Sequence, residues 1–242
     1  MAKQYAFGSG VLYGTSSAAG ATPQQFGALQ DVSIDISASS KELHGQYAFP
    51  LAVARGKIKV SGKAKFAQIN GQLFNELFFN ASSAVGNLAV VNNESGTPAS
   101  STVTVANSAT FADDLGVIDA VTGLALLRTT SATPTAGQYK VASGVYTFAS
   151  GDTAGKYISY TYNAASTGKQ ITVVNPLMGV APIFTAVLSG AYNGQSYTWK
   201  FPACTATKLS FATKLEDFVV PEFDFEAFAD SGNNVMYASF AS

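Results

Sequence analysis

The sequence predicts a mainly β protein: a β-sandwich or barrel-like body with one flanking α-helix and a β-rich inserted module. Three observations lead there. Stretches such as "DVSIDIS" and "GKIKVSGKAKF" alternate polar with apolar residues, the pattern of half-buried strands. A single stretch, "AQINGQLFNELFF", carries apolar residues at helical spacing. From about Asn92 to Gly168 short strand-like runs alternate with Gly, Ser, Thr and Asn turn signals, after which strands of the earlier style resume. The expected organisation is a core in two parts, residues 1–91 and 171–242, interrupted by a β-rich module at 92–170. A continuous β fold without an insertion is the alternative arrangement.

Along the chain, "QYAFGSGVLYG" sets aromatic and branched residues between glycines and reads as a first strand. In "DVSIDIS", Val32, Ile34 and Ile36 share one face, and Asp31, Ser33, Asp35 and Ser37 the other. In the basic strand, Ile58, Val60, Ala64 and Phe66 oppose Arg55, Lys57, Lys59, Lys63 and Lys65. Between the two lies an expected connection at 38–54, long for a hairpin and holding Leu43, His44, Tyr47, Phe49, Pro50, Leu51 and Val53. A connection this apolar should not sit in water alone. The helix is expected over about 67–79, with Ile69, Leu73, Phe74, Leu77 and Phe78 facing the sheet and Gly71 weakening it modestly. The middle region offers "STVTV", "GVIDAV", "LALLRT", "QYKVASGVYTFA" and "KYISYTYN" as short strands. The last part offers "KQITVVN", "IFTAVLSGAY", "QSYTWKFPA", "TKLSFATKL" and "VVPEFDFEAFA".

The charges carry a second pattern. Glu222, Asp224 and Glu226 point away from Phe223 and Phe225, so two acidic-faced strands, 31–37 and 222–226, match one basic-faced strand. If the three share a sheet, Asp31, Asp35, Glu222, Asp224 and Glu226 neutralise the five cations by cross-strand pairing, which sets register more than stability. The competing reading, a nucleic-acid stripe, wants aromatics interleaved with the cations. Here the interleaved residues are Ile, Val and Ala until Phe66.

Composition narrows the function classes. The 242-residue chain is 47% apolar, long enough to bury a real core. Charged residues are 12%, against roughly 25% in a typical soluble domain, so the surface is poorly defended against association. The net charge of −1 gives no bulk attraction to DNA or anionic membranes. One cysteine, Cys204, excludes an internal disulfide framework and a cysteine-based zinc site, and reads as a small buried residue. The start "MAKQYAFGSG" lacks an apolar signal core and no run is long enough for a membrane helix, so folding in a cytoplasm and no membrane insertion are expected.

Catalytic constellations are absent from the pattern. With His44 as the sole histidine, a two-histidine metal site is impossible, no G-x-S-x-G accompanies it, and a hydrogen-bonding loop role fits it better. "GSGVLYG" has the wrong spacing for a dinucleotide fingerprint and no helix pattern after it, and a Walker A motif is missing. Asp113 and Asp114 lack EF-hand spacing and read as turn acids. The sequons at Asn80 and Asn93 carry meaning only in a secreted chain. No catalytic residue, metal or cofactor is expected.

Several stretches, "GVLYGT", "FGALQDVSIDIS", "KELHGQYAFPLAVARGKIKVSGKAKFAQINGQLFNELFF" and "KLEDFVVPEFDFEAFAD", resemble the major tail tube proteins of tailed bacteriophages. The resemblance covers about residues 5–80 and 171–230, with the middle matching only loosely the β-rich additions of some members. It implies a structural virion protein whose subunits form hexameric rings stacked into a hollow tube, the conduit for genome ejection. Residues 38–54 would then be the loop that reaches the neighbouring ring. The charged sheet face would line or flank a lumen through which double-stranded DNA passes without being held. Implied partners are further copies of the chain, tape-measure, tail-tip and tail-terminator proteins, and a sheath protein if the tail contracts. The implied location is the virion tail, with assembly in the host cytoplasm. A phage decoration or receptor-binding module, recognising through 92–170, is the competing class; a related bacterial secretion-tube protein would also form rings.

Overall fold

The computed structural model describes residues 5–68 and 70–241. It is mainly β, with 57% of residues in strands and 5% helical, arranged in several antiparallel sheets with one helix, as a sandwich-like fold requires. The first strands are β1 (Val11–Ser16), β2 (Gln24–Gln25), β3 (Leu29–His44) and β4 (Pro50–Phe66). The helical segment follows as α1 (Gly71–Phe74), continued by a π-turn at Asn75–Phe79. Next come β5 (Ser82–Gly96), β6 (Thr102–Thr104), β7 (Phe111–Asp119), β8 (Leu127–Arg128), β9 (Gln138–Ala142), β10 (Val145–Phe148) and β11 (Lys156–Thr172). The chain closes with β12 (Ile183–Tyr192), β13 (Gln195–Ser210), β14 (Glu222–Ala227) and β15 (Tyr237–Phe240).

Two compact units result, one built from Met1–Ser82 with Val173–Ser242 and the other from Ser83–Thr172. The composition shift at Asn92 lies inside β5, a strand not among those expected from the sequence.

The first unit is a sheet of order β2-β1-β12-β13-β14-β4-β3, with β15 also on β13. Alternation sends Phe223 and Phe225 of β14, Val60, Ala64 and Phe66 of β4, Phe184 and Ala186 of β12 and Leu12 of β1 into one core. Leu73, Phe74 and Leu77 cover that core from the helical side. Gly14 on β1 leaves the room that Leu77 occupies; a methyl there would meet its side chain. The helix starts later than expected because Asn70 caps it, its Oδ1 accepting from the N–H groups of Gln72 and Leu73 at 3.1 and 3.2 Å. Its second half widens to a π-turn and ends at Asn80, which adopts a left-handed φ of 47°. Ile69, expected on the stripe, lies outside the described residues. The runs expected as two strands, "QSYTWKFPA" and "TKLSFATKL", are one strand to Ser210, since the ladder with β12 shifts register between its Phe184 and Ala186 pairs, opposite Pro202. Likewise "KYISYTYN" and the start of "KQITVVN" merge into β11.

The second unit has a three-stranded sheet, β5-β11-β7, and a four-stranded one, β6-β10-β9-β8. Val105, Val117, Tyr139, Tyr146, Phe148, Ile158 and Tyr160 form its own core. Polar groups in this core are satisfied internally. Tyr139 and Tyr146 donate their hydroxyls to Asp114 at 2.8 and 2.9 Å, and Tyr160 donates to Glu94 at 2.6 Å. Burial first, and then the Asp114 carboxylate, push both the Tyr139 and Tyr146 phenols far up. Asp114 is therefore a strand residue organising a core, a correction to the expected turn acid.

Candidate functional site

Two surfaces of the first unit stand out: the charged face of β3, β4 and β14, and the arm that β3 and β4 form beyond the core.

The three strands named by their charges are neighbours, in the order β14-β4-β3. Asp31 and Glu222 flank Lys65 in register, Ser33 and Asp224 flank Lys63, and Asp35 and Glu226 flank Ser61. The ion pairs are uneven. Glu226 meets Lys59 at 2.6 Å, while Glu222 meets Lys63, Lys65 and Lys208, each at 3.2 Å. The hydrogen bond from Lys208, then those from Lys65 and Lys63, hold the Glu222 carboxyl down to about 2. Lys208 was missed in the sequence, although its place on β13 opposite Asp224 puts it on the same face. Asp31, Asp35, Arg55 and Lys57 make no ion pair among the described residues, so the expected five-to-five matching is not realised. For Arg55 and Lys57 the physical reason is the length of β14: it pairs with β4 only from Val60 to Lys65, leaving both beyond its end. Asp224 keeps one carboxylate oxygen, Oδ1, buried without a hydrogen-bond partner.

The underside of this face is tightly fitted. Gly62 lies directly across from Phe225, and a methyl on Gly62 would sit 2.7 Å from Phe225 Cε2 and closer still to Cζ. Phe225 is held there by Phe184, Phe201 and Phe223.

The expected connection at 38–54 is corrected. Most of it is strand: Ala38 pairs with Ile58, Ser40 with Arg55, Glu42 with Val53, Leu43 with Ala52 and His44 with Pro50. Only residues 45–49 turn. The run from Leu29 to His44 contains no Pro or Gly, so nothing stops the ladder from continuing past the core. The product is a two-stranded arm exposing Leu43, Tyr47 (70%), Phe49 (83%), Leu51 (67%) and Val53. His44 ends β3, its Nε2 3.1 Å from Glu42 Oε2, rather than sitting in a loop. Among the described residues no cluster of His, Cys, Asp and Glu is placed to hold a metal, and no helix is long and apolar enough to cross a membrane.

Neither the protein-family models nor the curated proteins include a match to this chain.

Proposed function

We propose that this protein is a structural subunit of a phage tail tube, assembling into hexameric rings that stack into a hollow conduit for DNA. The observation that carries the reading is the β3–β4 arm. At about 3.3 Å per residue it runs roughly 30 Å past Val60, the last core-facing residue of β4. An isolated two-stranded hairpin with this much apolar surface in water is unfavourable by itself. It becomes favourable when a neighbouring subunit covers it. The long edge of β3 supports the same reading, since its outer backbone groups are available to a further strand.

The charged face fits the inner wall of such a tube. A wall of unpaired lysines would exchange counterions for phosphate and retain DNA. Cations already held by Glu222 and Glu226 offer far less of that exchange.

The test is negative-stain electron microscopy of the concentrated protein at moderate salt. Stacked rings or hollow tubes with a duplex-wide lumen are the expected result. A compact oligomer or monomer at every concentration, even with tail-tip extract added as initiator, overturns the reading. In the tubes, reversing Lys57 and Lys59 to Glu should leave ring formation intact, because both lie on solvated strand surface.

A further inference from the structure

The arm needs an acceptor, and the first unit offers several surface grooves for comparison. One is lined by Lys65, Lys214, Asp217 and Glu222 and is strongly charged. A second lies at the arm's own base, between Ile36, Ile58, Phe228 and Met236, with Arg55 on its wall. A third, of about 540 Å³, is walled by Phe78, Phe79, Val174, Pro176, Val180 and Pro182 and has no charged residue in its lining; a fourth, between Tyr5, Ala6, Tyr197, Trp199 and Phe240, is also uncharged but less than half that size, about 230 Å³.

We propose that this third groove receives the arm tip of a second copy of the chain, an inference that rests on the tube reading and names its acceptor site. The tip and the groove match in chemistry. From Gly45 to Ala54 the arm carries no charged residue, the nearest being Glu42 and Arg55. A neutral groove rejects charged occupants, and of the two neutral grooves only the larger matches a segment carrying two aromatic rings. Pro176 and Pro182 lack amide protons, so covering that wall strands fewer donors. Val174 and Val180 stay exposed in the single chain, as do the neighbouring Leu177 and Met178, and the thioether of Met178 adapts its shape to an incoming ring.

The occupant is another copy because the arm cannot serve its own groove. Its strands stay paired from Ala38–Ile58 out to His44–Pro50. Folding the tip back would break that ladder. Donor and acceptor are different surfaces, so the contact is heterologous: each copy gives a tip and receives one, and the contact propagates. Tyr47 and Phe49 are the anchors, large rings with few torsions to immobilise.

Cysteine cross-linking tests this directly, because the native Cys204 is fully buried with its thiol pushed up to about 12 by that burial. Phe49→Cys protein is mixed with Val174→Cys protein under assembly conditions and treated with a short bismaleimide. The expected product is a disulfide-independent band at about twice the 25.1 kDa monomer mass, absent when either variant stands alone. Phe49→Cys with Phe228→Cys, in the groove at the arm's base, should give no such band. The pair Tyr47→Cys and Val180→Cys repeats the test at independent positions, and all four sites are exposed, so the fold tolerates the changes. Tubes by microscopy without the Val174 and Val180 cross-links, or with the Phe228 cross-link in their place, overturn the acceptor site while leaving the tube reading intact. Absence of both tubes and cross-links overturns both.

Discussion

Gly62→Ala offers a sharp test of how the charged face is supported. Gly62 sits in β4 at an ordinary strand conformation, so alanine brings no backbone strain and by itself favours the strand by about 0.5–1 kcal/mol. The added methyl, however, falls within contact distance of the Phe225 ring, which three other phenylalanines hold in place. Overpacking of this kind costs about 1–3 kcal/mol, so the variant should be less stable by roughly 1–2 kcal/mol. Phe225→Leu removes buried apolar atoms and costs about 2 kcal/mol. In that background the Gly62 methyl enters vacated space, and the same substitution should become favourable. The double variant should therefore be less destabilised than the sum of the singles by about 2 kcal/mol, a coupling expected only between residues in contact. Urea denaturation followed by tryptophan fluorescence reads this out cleanly, because Trp199 is the sole tryptophan and packs against the core of the first unit. Slopes should stay constant while midpoints move. A neutral or stabilising Gly62→Ala in the native background, or additive effects, would refute the packing argument.

Three further outcomes are expected. Glu222 has its folded-state carboxyl lowered to about 2 from 4.5; its stabilisation is full above the unfolded value and disappears as pH falls through about 2. Denaturation midpoints between pH 5 and 2 should thus fall in the native protein, and Glu222→Gln should flatten that slope. Phe49→Asp with Leu51→Asp should leave the Trp199 unfolding transition within about 0.5 kcal/mol of native, both sites being exposed, yet abolish tubes in micrographs. Lys156 is 1% exposed and bonds Asp119 at 2.7 Å and Asp152 at 3.1 Å; burial works against its charge, but those bonds outweigh it and raise its pKa. Lys156→Met removes the shared cation from both aspartates and should destabilise the second unit. Proteolysis within 83–172 should accelerate while Trp199 reports no change.

The arm illustrates what a sequence obscures. Residues 38–54 look like a loop because their apolar residues break the alternation that marks a sheet with one wet face. Alternation reports burial, and an arm beyond the core has no buried side to report. Lys156 is similar: in sequence it is a lone cation at the start of a strand, and only folding brings Asp119 opposite it and Asp152 within hydrogen-bond reach.

By itself the sequence determined the β class, the faces of β3, β4 and β14, the helical cover of Leu73 and Leu77, and the sign of the charge on each strand. These follow from period-two and helical spacing, which are local properties of the chain. The tertiary structure decided which acid each lysine meets, that Lys208 joins them, how far β4 outruns β14, and that Gly62 exists to seat Phe225. Those depend on strand order and register, set by packing between segments far apart in the chain, and no local pattern encodes them.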